Sequence, residues 1–404
     1  MLSDFRKRIR QIGPAFILAA VVLGPGSVTL ATIAGSRYGY QLLWVPVVST
    51  VFMVVFTVMA ARIALVSRQS LFDVARRKYG ATIATWGGVF GFLSILAFQA
   101  GNSAAVGFAG NALFGMDARL WSIGFLFPAL ALLFLPDLYR KLEILVKVVI
   151  GLMIVGFAGT LVTVGIDFSG AFRGLVPSFP DNDAVFLSLG MAATTFSIAA
   201  AAYQSYLMKE KRWGPDELST EGLDSLVGIG ILGGISVVIL LVSAGVIRQV
   251  AEPVFDAQTM ARQLEPVAGP AAFILFTVGF FFAGFSSLVV NPLVGATLLV
   301  DGIGREPDLK NRPLRLSAAG ILIFGTFVAV LFGGTPIELL RVAQALAVVA
   351  FPVLGFLVWR LSADRKIMGE NANSLGLNIL AGLGYLTVLG IALSYVRQIL
   401  SWIW

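Results

Sequence analysis

The chain has 404 residues, of which 58% are hydrophobic and only 13% charged, and its formal net charge is +7. A soluble protein with so little charge could not cover its surface, so lipid is the solvent this composition fits. The lack of cysteine excludes disulfides, thiolate metal sites and cysteine nucleophiles; the lack of histidine removes the commonest metal ligand and the side chain that titrates nearest neutral pH.

A bilayer core takes about 20 apolar residues per helix. The apolar runs predict eleven spans at residues 12–35, 41–65, 85–113, 119–136, 143–166, 184–208, 226–249, 270–299, 316–333, 338–360 and 375–401. Residues 1–404 therefore read as a single transmembrane domain. Ten further spans follow the first, and no small-residue cleavage site closes it, so it reads as a helix and not a signal peptide.

The first span is interrupted by Gly24-Pro25-Gly26-Ser27. Proline removes a donor and clashes with the preceding turn, and the flanking glycines free the backbone. Two half-helices with free carbonyls and amides would result, the arrangement that builds midplane sites in carriers. A plain proline kink is the alternative. In the third span Gln99 and Asn102 share a helical face.

The sixth span runs Ala193-Thr194-Thr195-Phe196-Ser197-Ile198-Ala199 and has no proline or glycine at its middle. A closely packed interface of small residues explains it simply. A break there would follow if spans one and six are symmetry partners in an inverted repeat of five plus five. Asn291, before Pro292 in the eighth span, reads as an interhelical bond; Gln344 in the tenth is a further amide within an apolar span.

With the N-terminus placed in the cytoplasm, 22 of the 29 basic residues fall on the inner side and seven on the outer. That is a strong positive-inside bias. The positive charge lies in short loops, which argues for membrane topology and against nucleic acid. All 22 acids are expected in loops or near span ends, with Asp301 on the loop side. No nucleotide-binding motif and no catalytic constellation is visible, so the chain does not read as an enzyme. It implies no cofactor and no protein partner, only the lipid bilayer and a small ion or small molecule as substrate.

The segments Gly13-Pro14-Ala15, Gly24-Pro25-Gly26-Ser27 and Ala34-Gly35-Ser36-Arg37-Tyr38-Gly39 resemble the start of the Nramp divalent-metal transporters. Ala60-Ala61-Arg62, Asn111-Ala112-Leu113-Phe114-Gly115, Gly284-Phe285-Ser286-Ser287 and the surroundings of Gln344 resemble later helices of that family. The resemblance implies an all-α polytopic membrane protein of about eleven transmembrane helices. They would form a LeuT-like 5+5 inverted repeat plus one extra helix, with helices one and six broken. Repeat one would cover about 12–166, repeat two about 184–360, and the extra helix about 375–401.

The site departs from the family pattern. Nramp transporters carry Asp-Pro-Gly-Asn where this chain has Gly24-Pro25-Gly26-Ser27. They carry Met-Pro-His-Asn where it has Phe196-Ser197-Ile198-Ala199. The second histidine of that helix falls on Tyr203, and the two proton-path acids of the third helix on Gln99 and Asn102, so all three proton-path positions are neutral. Carried over by position, Val21, Gly24, Ser27, Ala193, Phe196, Ser197, Ala199 and Gln344 would bind substrate. Gly24, Ser27, Ala193 and Gln344 would face a metal.

Three functions follow. The first is an Nramp-like secondary transporter moving a cation without proton coupling, a divalent metal such as hydrated Mg²⁺ touched by carbonyls near Val21, Leu23 and Ala193. The second is a carrier of a carboxylate or zwitterion held at half-helix amide ends. The third is a non-transporting sensor, which would be expected to carry an added signalling domain. Family precedent favours the first. The missing charge argues against a bare transition metal.

Overall fold

The computed structural model describes residues 13–135, 137–247, 259, 261, 269–332 and 352–403. The first span is a pair of helices, α1 (Pro14–Val22) and α2 (Pro25–Tyr38), bent by 59° at the break. Then come α3 (Trp44–Ser67), a short basic helix α4 (Leu71–Tyr79), α5 (Ala81–Phe114), α6 (Ala118–Leu133), α7 (Leu138–Val164) and a short α8 (Phe168–Arg173). The sixth span is also a pair, α9 (Asn182–Thr195) and α10 (Ile198–Lys211). It is followed by α11 (Leu218–Ile247), α12 (Pro270–Gly302) and α13 (Arg312–Leu331). The last elements are α14 (Pro352–Ser362), α15 (Arg365–Met368) and α16 (Leu375–Ile403).

Every predicted span carries a helix among its described residues; of the tenth, only the part from residue 352 onward is described. By length and composition, seven spans among the described residues can cross a membrane, and the bent first span makes an eighth. The lipid-facing side is apolar: Phe127 is 64% exposed, Val162 85% and Leu386 64%. Such side chains belong in hydrocarbon. The chain is a multi-pass membrane protein.

The two broken spans lie innermost. α2 packs on α11 and α9, and α10 packs on α3 and α1. α5 and α12 cross them and pack on each other. Their approach needs glycine at the crossing. A Cβ on Gly88 would stand 2.5 Å from the Leu298 carbonyl oxygen and 2.6 Å from Gly302 Cα. At one end of the bundle Asp181, the N-cap of α9, accepts the N–H of Ala184 and the hydroxyl of Tyr38, at the end of α2. Those two bonds, the backbone one first, hold its carboxyl below the usual range.

One expectation is corrected. α11 begins at residue 218, eight residues before the predicted start, and so takes in Glu221 and Asp224, both fully buried. Asp301 is buried as well, at the end of α12. Buried carboxylates persist only when hydrogen-bonded, and these have partners. Asp224 accepts the main-chain N–H of Gly13 and of Ala15, each at 2.8 Å. Glu221 accepts from Ser225 Oγ at 2.5 Å. Asp301 accepts from Ser70 Oγ at 2.9 Å, from the Phe72 N–H at 3.3 Å and from the Tyr206 hydroxyl at 2.5 Å. A hydropathy window places such acids outside the span because it cannot see partners distant in sequence.

Candidate functional site

The break in the first span frees carbonyls. Val21 O would ordinarily bond the N–H of residue 25, which is a proline. Pro25 sits at the first turn of α2, where its missing N–H costs little. Ser287 Oγ donates to Ala20 O at 2.9 Å and reaches Val21 O at 3.4 Å. Val22 O accepts from Gly24 N at 2.8 Å and from Ser27 Oγ at 2.9 Å. Hydroxyls on α2 and α12 therefore hold the carbonyl end of α1 in place.

The sixth span breaks without proline or glycine. Ser197 is extended, at φ −83° and ψ 103°, and its Oγ accepts the N–H of Ala200 at 3.4 Å as the N-cap of α10. Before it, Thr194 Oγ1 bonds back to Gly190 O at 3.2 Å and Met191 O at 3.1 Å, a contact that competes with the helix. The Phe196 ring anchors the break from behind, 5.0 Å from the Phe56 ring and 6.0 Å from that of Phe52.

A cavity lies between the two breaks. Val21, Val22, Gly24, Gly26 and Ser27 line it from the first span, and Ala193, Thr194 and Ser197 from the sixth. Ile95, Phe98 and Asn102 of α5 and Asn291 of α12 complete the wall. None of these residues bears a formal charge. The space open to the centre of a water-sized molecule is about 30 Å³, room for two or so waters at roughly 10–15 Å³ each.

Of the positions carried over from the family, Val21, Gly24, Ser27, Ala193 and Ser197 come together here, with Asn102. Phe196 does not: its ring points at α3. Ala199 is buried in the first turn of α10, outside the lining. Tyr203 is buried, with its ring stacked 6.0 Å from that of Tyr206. Gln344 lies outside the described residues. Gln99 stands behind Asn102 and bonds it. Asn291 reads from the sequence as interhelical glue, yet it lines the cavity and its Oδ1 has no hydrogen-bond partner among the described residues. The adjoining Pro292, which leaves a carbonyl of the same helix without its backbone donor, is the signal that could have marked it.

Two broken helices around an uncharged cavity inside a polytopic bundle are the arrangement of a secondary transporter of the LeuT-like inverted-repeat class. The sequence model of the family described as natural resistance-associated macrophage protein-like, Nramp, matches residues 15–398, and the chain belongs to that family. The chain is 26% identical over 395 residues to the divalent metal cation transporter MntH of Burkholderia ambifaria, covering 94% of this chain and 87% of that protein. It is also 26% identical over 403 residues to the divalent metal cation transporter MntH of Bacillus subtilis, covering 97% and 92%. In fold it is similar to the crystal structure of a mutant Eremococcus coleocola manganese transporter, with a TM-score of 0.82 at 18% identity, covering 98% of this chain and 87% of that one.

Proposed function

We propose that the protein moves a cation, a divalent metal ion such as Mg²⁺ carried with part of its water shell, through the cavity between the two helix breaks and without proton coupling. One observation carries this reading: the carbonyl ends of two half-helices, α1 at Val21 and Val22 and α9 at Ala193 and Thr194, converge on one uncharged cavity. The C-terminal end of a helix carries partial negative charge. Fixed carbonyls attract a cation, but without a carboxylate they do not repay full dehydration of a divalent ion. Retained water resolves that conflict.

The neutral proton-path positions support transport uncoupled from protons. Gln99 and Asn102 bond each other at 3.3 Å, and neither side chain titrates. The basic-residue bias supports a bacterial inner-membrane topology with the N-terminus in the cytoplasm. It also fits repeats at about 12–166 and 184–360 with an extra helix at about 375–401.

A second reading has its own observation. Gly26 and Ser27, in the first turn of α2, line the same cavity. Amides at a helix start suit a carboxylate. Uptake into proteoliposomes decides between the two, with Mg²⁺ and Mn²⁺ supplied separately and an internal pH dye present. Saturable uptake without internal acidification is the expected result. Folded protein that takes up neither ion overturns the cation reading and turns the search to small carboxylates and amino acids.

A further inference from the structure

Pro292 lies inside α12, and a proline there has no N–H to give the carbonyl four residues earlier. That carbonyl belongs to Leu288. It is buried in the bundle, where an unpaired acceptor is costly. The structure supplies a donor from another helix: Gln99 Nε2 of α5 bonds Leu288 O at 3.0 Å.

This bond fixes the direction of everything that follows. A carbonyl oxygen only accepts, so the Gln99 carboxamide must turn its nitrogen to Leu288. Its oxygen then faces the other way and accepts from Asn102 Nδ2 at 3.3 Å. Asn102 has thereby committed its nitrogen, and its Oδ1 points away from Gln99. That oxygen lies 3.4 Å from the point a Cβ on Gly24 would occupy, at the wall of the cavity. Among the described residues it has no hydrogen-bond donor. The usual ambiguity of an amide flip is removed at both residues by the single carbonyl at the start of the chain.

We propose that Pro292, Gln99 and Asn102 form an orienting relay that turns the Asn102 amide oxygen onto a cation in the cavity, so that a neutral oxygen stands beside the place where family members carry the first-helix aspartate. Asn102 is a ligand to the ion or its water. Gln99 and Pro292 are positioning residues that never touch it. The Asn291 carboxamide, held by no hydrogen bond among the described residues, turns its oxygen inward when the ion arrives. The polarity of the relay also determines what is refused: a carboxylate at this wall would meet the lone pairs of Asn102. The relay makes the cavity a weak cation site, which a carrier needs if its cargo is to leave.

The proposal rests on the cation reading, and one experiment separates the two. Binding of Mn²⁺ and of Mg²⁺ is measured by isothermal titration calorimetry on the purified full chain in detergent, with thermal unfolding of each variant without ion. Asn102→Leu is expected to weaken binding about tenfold, the loss of one hydrogen-bond-strength contact. Pro292→Ala gives Leu288 O a backbone donor and sets Gln99 free. It is expected to weaken binding about three- to fivefold, while the unfolding temperature stays level or rises, because alanine favours a helix over proline. A merely structural proline would move the unfolding temperature and leave the affinity alone. If the wild type binds and both variants bind as well as it does, the relay is overturned and the cation reading stands. If the folded wild type binds neither ion, both fall. Should Asn102→Leu fail to fold, Pro292→Ala decides the matter alone.

Discussion

The Asp224 carboxylate accepts the main-chain N–H of Ala15 at 2.8 Å, joining residues 209 apart in the chain. The same carboxylate accepts the N–H of Gly13. It is the cap that the start of α1 lacks, since no side chain of its own caps that helix. The nine residues of α1 therefore run from a buried anion at one end to the cavity carbonyls at the other. Both ends of the half-helix are held from outside its own sequence, by α11 at the start and by Ser27 and Ser287 at the finish.

Asp224→Ala is expected to destabilise the protein by about 2–5 kcal/mol, by leaving two buried N–H groups unpaired and removing a charge-assisted contact. Asp224→Asn keeps one acceptor oxygen and should lose roughly half as much. Thermal unfolding in detergent measures both. Equal stability of the alanine variant and the wild type would mean that α1 is capped in some other way.

Position 24 is small for a reason. A Cβ on Gly24 would stand 2.9 Å from Ser287 Oγ. Gly24→Asp alone should therefore turn the Ser287 hydroxyl off Ala20 O and lower stability. With Ser287→Ala added, the clash is gone and a carboxylate faces the cavity. The double variant is expected to bind Mn²⁺ at least tenfold more tightly than the wild type in a calorimetric titration. An unchanged affinity would show that charge at this wall does not govern ion binding.

Phe196 separates sequence position from spatial role. Phe196→Met puts a sulfur where the family motif has one, but the side chain at 196 packs on Phe56 and away from the cavity. The variant should show no new preference for Mn²⁺ over Mg²⁺. Phe196→Ala should cost about 3–5 kcal/mol from the cavity left against Phe52 and Phe56. A gain in Mn²⁺ selectivity with Phe196→Met would mean that residue 196 turns inward during transport.

Ser27→Trp tests whether this cavity is the route. Its side chain would exceed the two-water space and block it. Uptake into proteoliposomes should be abolished, and the unfolding temperature should fall without loss of the fold, because the bond to Val22 O is lost and the space is overfilled. Normal uptake by Ser27→Trp would place the route elsewhere in the bundle.

Asp181 gives a pH dependence with a definite sign. The N–H of Ala184 and the hydroxyl of Tyr38 lower its folded-state pKa. The unfolded chain then takes up a proton at higher pH than the folded one. The contribution is complete above the unfolded value, near pH 4, and is lost as pH falls through the lower folded value. Below about pH 4 the unfolding temperature of the wild type should fall more steeply than that of Asp181→Asn. Parallel curves would mean that the Tyr38 contact adds nothing to stability.

The sequence by itself determined the solvent, the spans and the first break. Apolar runs long enough for a bilayer admit few other structures, and Gly24-Pro25-Gly26 cannot continue a helix whatever surrounds it. These are local properties, carried by residues adjacent in the chain. The sixth-span break was legible only through symmetry with the first. Its direct signals, the Ser197 cap and the Thr194 back-bond, are too weak alone to end a helix, and the Phe196 packing that accompanies them comes from α3.

The tertiary structure decided the rest. It drew Glu221 and Asp224 into the bundle because α1 brings unpaired amides to Asp224. It turned Phe196 away from the cavity that its place in the motif suggests. It brought Asn291 to the cavity wall and gave Gln99 and Asn102 their orientation through a carbonyl freed by Pro292. The outcomes at Asp224 and at Gln99 and Asn102 depend on a polar group finding a partner on another helix. In a bilayer interior that offers no water to stand in, which partner it finds is set by packing and not by sequence neighbours.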